Sequence, residues 1–212
     1  YQPDEFVFLN LGGMFWNKGP DLLIRAFAAV HRAAGSRRVR LLLKDQRGLY
    51  QQTADTILQQ VVAEFPGLIT EEVRQAITVL PGNLKMGELR MVYGAADAYV
   101  SPYRAEGFNL PVLEAMACGV PQVVSDWDGY RDSVQHGETG FLVPTFWTRS
   151  DADICSVDLL RSSEFAYLSM AQSVAADLGA LERVHVVSPV MTCGWRPALG
   201  GMVADLTRFL RS

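Results

Sequence analysis

Six short apolar runs alternate with helix-length segments along this chain, and that alternation limits the folds open to it. The runs are FVFLNL (Phe6–Leu11), VRLLLK (Val39–Lys44), ITVL (Ile77–Leu80), AYVSPY (98–103), PQVVSD (121–126) and TGFLVP (139–144). A half-exposed strand alternates apolar with polar residues, whereas near-continuous apolar runs mark strands covered on both faces. Between the first two runs, GPDLLIRAFAAVHRAAG sets Leu22, Leu23, Ala26, Phe27 and Val30 at helical spacing. Pro20 suits its first turn and Gly35 its stop. YQQTADTILQQVVAEF is a second amphipathic segment, MGELRMVYGAA and VLEAMACG are shorter helices, and GYRDSVQHG reads as a short helix or turn. The pattern predicts an α/β fold, a doubly wound parallel sheet of about six strands with helices on both faces. With 212 residues, 49% hydrophobic and 20% charged, the chain suits a single domain with a sizeable core.

The net charge of -4 argues against a sequence-blind nucleic-acid binder, which would carry a basic face. Cys118, Cys155 and Cys193 have neither metal-ligand spacing nor a disulfide framework, so a reducing, cytoplasmic home is expected. No apolar run is long enough to span a bilayer, and no signal peptide opens the chain. The opening YQPDEFVFLNLGG stands one turn before a strand and reads as a cut in a longer protein. After Pro144 the periodicity fades. FAYLSMAQSVAADLGALERV reads as helical and VADLTRFL as a last short helix, within a less defined tail over 150–212.

Ligands of doubly wound sheets sit beyond the carboxyl ends of the strands, where the strand order reverses. The strand-to-helix loops are therefore the places to search. In GGMFWNKG, Gly12 and Gly13 let backbone approach a ligand closely, and Lys18 stands just before a helix whose N-terminus favours phosphate. The loop is neither GxGxxG nor a Walker A loop, which counts against nicotinamide and ATP. Its plain alternative is a tight turn with a solvated lysine. Lys44, closing the second run, either faces the ligand edge or snorkels to water. Asp126-Trp127-Asp128 resembles the acidic metal-binding triplet of another class of sugar-transferring enzyme. Helix capping is the alternative, and two isolated carboxylates do not make a metal site. His31, His136 and His185 are isolated, and none is assigned a catalytic role.

The most specific stretch is SPYRAEGFNLPVLEAMACGVPQVVSDWDGYRDSVQHGETGFLVPT, from Ser101 to Thr145. Glu106 and Glu114 are separated by seven residues. Ala115-Met116-Ala117, the turn Gly119-Val120-Pro121 and the strand Thr139-Gly140-Phe141-Leu142-Val143 follow. Together with NKGPDLLIRAF, this order of motifs resembles the nucleotide-sugar-binding half of a family 4 glycosyltransferase. The fold so implied is one Rossmann-like half of a GT-B enzyme. Read from the residues alone, Gly107, Phe108, Asn109 and Leu110 form a loop that opens a helix, with Pro111 pre-set for its first turn. The N–H groups there can hold sugar hydroxyls or a diphosphate. The alternative makes Glu106 a surface residue and Glu114 a charge on the helix dipole.

The resemblance implies that Glu106 lies by the transferred sugar, Glu114 binds the ribose hydroxyls and Lys18 contacts the diphosphate. It makes Glu106 and Lys18 the catalytic candidates. Asn83 and Leu84 in PGNLKM are candidates to bracket the base. The family often carries an arginine earlier in the first loop, where this chain has Gly12-Gly13, so Lys44 is the candidate second charge. Asn109 stands where many members have glycine. The activity implied is retaining transfer from a nucleoside diphosphate sugar, UDP- or GDP-linked, with no metal. Such enzymes keep the acceptor site, here for a glycan or lipid-linked acceptor in polysaccharide assembly, on an N-terminal domain that this chain lacks. The full-length enzyme is expected in the cytoplasm, peripheral at the inner membrane face. The chain alone is expected to bind its donor weakly and not to turn over. A non-catalytic nucleotide-binding or scaffold domain of the same fold is the rival reading.

Overall fold

Apolar residues on both sides of every strand require two cores, and the fold has two. The computed structural model describes residues 4–46, 52–104, 106–126 and 133–144. Strands β1 (Glu5–Gly12), β2 (Arg38–Asp45), β3 (Ile77–Leu80), β4 (Ala98–Ser101), β5 (Gln122–Asp126) and β6 (Gly140–Pro144) form one sheet in the order β3-β2-β1-β4-β5-β6. All neighbouring pairs are parallel. Helices α1 (Pro20–Ala33), α2 (Ala54–Glu64), α3 (Glu71–Gln75), α4 (Met86–Gly94) and α5 (Leu110–Ala117), with a 3-10 turn at Trp16–Lys18, complete the described elements.

Along β1 the side chains alternate between the two cores. Phe6 and Phe8 join Phe27 of α1, Ile57 of α2 and Val73 of α3. Leu9 and Leu11 join Tyr93 of α4, Tyr99 of β4, and Val112 and Met116 of α5. Burying one such large side chain contributes about 1.5–3 kcal/mol, so covering both faces outweighs any local propensity of the strands. The expected doubly wound sheet is therefore present, with helices on both faces.

The chain starts in the middle of the sheet, builds outward through β2 and β3, then crosses to the other side of β1 with β4. The strand order reverses between β1 and β4. Their ladder covers Phe8–Ala98 and Leu9–Tyr99. Past it, Asn10 Nδ2 donates to the Val100 carbonyl at 2.7 Å, and the Tyr99 hydroxyl donates to the Leu11 carbonyl at 3.1 Å. Side chains thus bridge the point where the two strands part.

The boundaries have local causes. β4 stops at Ser101 because Pro102 has no N–H for the ladder. α2 starts at Ala54, later than the apolar pattern suggested, because the Thr53 hydroxyl accepts from the Thr56 N–H at 3.2 Å and caps it. α3 was not anticipated, since its five residues are too short for a periodic signal. GYRDSVQHG lies partly outside the described residues, and its last part, Ser133 to Gly137, forms no helix and makes an isolated bridge from His136 to Gly140. The tail expected over 150–212 lies outside them altogether.

One close approach positions α1. Gly19, its N-cap, has φ +68, and a Cβ there would sit 2.0 Å from the Pro102 carbonyl oxygen. The start of α1 thus rests directly on the segment that follows β4. Gly19→Ala combines a left-handed backbone with that overlap and is expected to cost about 3 kcal/mol in denaturant unfolding. A cost under about 0.5 kcal/mol would show that the contact does not constrain the helix.

Candidate functional site

Beyond the parting of β1 and β4 opens a cavity of about 350 Å³, between the β1–α1 loop and the β4–α5 loop. Gly12, Gly13, Phe15 and Lys18 line it from the first loop. Glu106, Phe108, Asn109 and Leu110 line it from the second, ahead of Pro111. Asn10, Leu11 and Ser101, at the strand ends, and Gln46 complete the lining. Gly12 has φ +151, which favours glycine and lets β1 end without a side chain at this wall.

Charge joins the loops at the cavity. Lys18 ends a single 3-10 turn (Trp16–Lys18) before α1. Its Nζ donates to Glu106 Oε2 at 2.5 Å, with the glutamate side chain 10% exposed and the lysine 34%. Glu106 Oε1 accepts from the Gly107 N–H at 3.0 Å. Among the described residues lining the cavity, Lys18 is the only cation and Glu106 the only anion.

Behind that pair stands a second clamp that the sequence reading missed. Arg104 donates to both carboxylate oxygens of Asp21, in the first turn of α1, at 2.8 and 2.6 Å. The same guanidinium donates to the Trp16 carbonyl at 2.8 Å and stands 5.0 Å from the Trp16 ring centre. The Arg104 N–H donates to the Asn17 carbonyl at 2.8 Å. A planar fork on a carboxylate holds direction as well as distance, and only 5% of the arginine side chain is exposed. The available signal was position, because Arg104 shares the loop of Glu106.

Asn109, the N-cap of α5, has φ 44 and ψ 61. Among the described residues it is the only non-glycine with positive φ. Asparagine tolerates this region better than most residues. Its side chain does not cap the helix; Nδ2 donates instead to Ser101 Oγ at 2.8 Å.

Glu114 lies one turn along α5 and outside this lining. Its Oε2 accepts from the hydroxyl of Tyr93, a buried residue of α4, at 2.7 Å. Burial first, then Tyr99 and Glu114, push the Tyr93 hydroxyl far above its usual titration range, so it remains a donor. Burial likewise raises the Cys118 thiol one turn further on. Tyr93 was unmarked in the sequence because a tyrosine on an apolar helix face reads as core.

Lys44, the expected second charge, is placed differently. It is 4% exposed, and its Nζ donates to the carbonyls of Asp45 and Gly82, the latter at 2.7 Å. The ammonium ties the end of β2 to the β3–α4 loop and does not line the cavity. The physical reason is that carbonyls at the end of β2 and in the β3–α4 loop offer a buried ammonium closer partners than solvent does. That loop carries Asn83, exposed, and Leu84, half-buried; neither they nor Gly107 line the cavity.

The remaining candidates are structural or undescribed. His136 Nδ1 accepts from the Leu142 N–H at 3.1 Å and steadies the turn before β6. Among the described residues no group of three His, Cys, Asp or Glu is arranged to hold a metal. Asp126 closes β5, while Asp128 lies outside the described residues.

A family model described as Glycosyl transferases group 1 matches residues 5–153. D-inositol 3-phosphate glycosyltransferase of Actinosynnema mirum is 37% identical over 158 residues, covering 73% of this chain and 36% of that protein. The chain thus spans about a third of that relative's length. Sucrose-phosphate synthase from Thermosynechococcus elongatus superposes with a TM-score of 0.54 at 24% identity, over 86% of this chain and 46% of that one. The C-terminal domain of a glycosyl transferase group 1 family protein from Francisella tularensis gives 0.52 at 20% identity, over 84% and 86%. These structural matches bear on the fold, and the neighbours are GT-B glycosyltransferases. The chain belongs to the glycosyl transferases group 1 family and is a glycosyltransferase domain.

Proposed function

We propose that this domain binds the nucleoside diphosphate sugar of a retaining glycosyltransferase, with a glycan or lipid-linked acceptor held by another domain. The carrying observation is the meeting of Lys18, Glu106 and the first turn of α5 around one cavity at the switch point. In this reading the sugar lies by Glu106 and the diphosphate between Lys18 and the N-terminus of α5. The ribose reaches Glu114, one turn along the same helix, whose second oxygen is left for it by Tyr93. The base lies toward Asn83 and Leu84.

The chemistry follows from those places. As the bond from the sugar carbon to the diphosphate oxygen breaks, negative charge builds on the leaving group. The ammonium of Lys18 and fixed N–H groups stabilise that charge without reorganising. Because Glu106 already holds Lys18, the cation is in position before the donor arrives. The donor is UDP- or GDP-linked, this stabilisation needs no metal, and the enzyme works in the cytoplasm at the membrane face.

Thermal-shift titration with UDP, GDP, ADP and NAD tests the reading. A nucleoside diphosphate is expected to raise Tm and NAD to leave it unchanged. A response to NAD alone would contradict the proposal, and no response to any would favour the scaffold alternative. Glu114→Ala is expected to weaken nucleotide binding about tenfold or more, the scale of a hydrogen bond to a charged group, with the fold intact. Unchanged affinity would reject the ribose role. Tyr93→Phe is expected to weaken ribonucleotides about threefold yet spare 2′,3′-dideoxy analogues. An equal loss for both would mean that Tyr93 acts on the fold rather than through Glu114.

A further inference from the structure

We propose that Ser101 and Asn109 together bind one hydroxyl of the donor sugar and so set which sugar the site accepts, an inference that rests on the donor reading above. Both residues line the cavity beside Lys18 and Glu106. Ser101 is the last residue of β4 and 5% exposed. Its Oγ accepts from Asn109 Nδ2, which leaves the hydroxyl proton to be donated. Asn109 gives one N–H of Nδ2 to that bond and keeps its second N–H as a donor and Oδ1 as an acceptor. Neither side chain makes another hydrogen bond in the structure.

The pair therefore keeps hydroxyl and amide donors together with an amide acceptor, and the hydrogen bond between the two side chains holds them together. An alcohol is the complement, since its hydroxyl donates to Oδ1 and accepts from Ser101. A phosphate or carboxylate oxygen only accepts and would leave Oδ1 facing like charge. The arrangement thus separates two ends of the cavity, an anion end at Lys18 and a neutral, hydroxyl-reading end at Ser101 and Asn109. Asn10 adds to the neutral end. It also lines the cavity, and one N–H of its Nδ2 goes to the Val100 carbonyl while Oδ1 remains an acceptor.

The backbone points the same way. At φ 44, glycine would serve the turn without strain. Asparagine keeps the turn and adds an amide whose direction Ser101 fixes. Residues held in sparsely populated conformations gather where geometry serves binding. A site built to hydrogen-bond a hydroxyl also rejects the analogue lacking it, because its own buried groups are then left unpaired.

Calorimetry on the 212-residue chain tests this, comparing UDP with UDP-glucose, GDP with GDP-mannose and ADP with ADP-glucose. For whichever pair the parent binds, Asn109→Gly and Ser101→Ala are expected to weaken the nucleotide sugar about three- to tenfold. The free nucleoside diphosphate should stay within about twofold, since no charged group is removed. Asn109→Gly should not lower Tm, because glycine accepts this backbone freely. In a series of deoxy-sugar donors, the parent should discriminate against one position and Asn109→Gly should lose that discrimination. Equal weakening of nucleotide and nucleotide sugar, or no change in either, would overturn the inference while leaving the donor reading standing. A parent that binds no nucleotide would overturn both.

Discussion

Arg104 joins the two loops on which the site depends. Its fork on Asp21 and its bonds to the Trp16 and Asn17 carbonyls fix the entry to α1 against the segment leaving β4. Without such a clamp, two loops on opposite sides of a strand divergence would move independently. Gly19 makes the contact possible by leaving room for the Pro102 carbonyl. The steric and electrostatic terms act on the same few residues. Their joint result is that Lys18 meets Glu106 across the cavity.

In the proposed reading, that placement lets an acidic chain hold an anionic ligand. A net charge of -4 offers an anion no long-range attraction, so the proposed binding rests on local groups. A single lysine with a carboxylate partner, next to a helix N-terminus, gives a local field where low exposure limits screening. The β2 lysine contributes differently. By holding the Asp45 and Gly82 carbonyls, Lys44 shapes the loop that carries Asn83 and Leu84.

The fold was legible because burial on both faces forces unbroken apolar strands, and each of the six runs became a strand. The chain order of α1, α2, α4 and α5 was legible for the same reason, through periodic apolar positions. α3 was not, since five residues cannot show a period. In the site, Lys18, Glu106 and Asn109 stood out because charged or turn-forming residues interrupt apolar sequence at strand ends. Asn10, Ser101 and Tyr93 did not, because each lies inside an apolar run or helix and reads as core. Lys44 could be assigned to a strand end but not to its partners. Which carbonyls a buried ammonium finds depends on contacts between distant segments, and spacing along the chain does not encode them.

In the proposed reading the parting of β1 and β4, with α5 beside it, forms one donor site. A crystal structure of the chain with a bound nucleotide sugar tests it most directly. The sugar is expected against Glu106, Ser101 and Asn109, the diphosphate beside Lys18, and the ribose on Glu114. A nucleotide seated elsewhere, or one at this cavity with its sugar pointing away from Asn109 and its ribose away from Glu114, would contradict it.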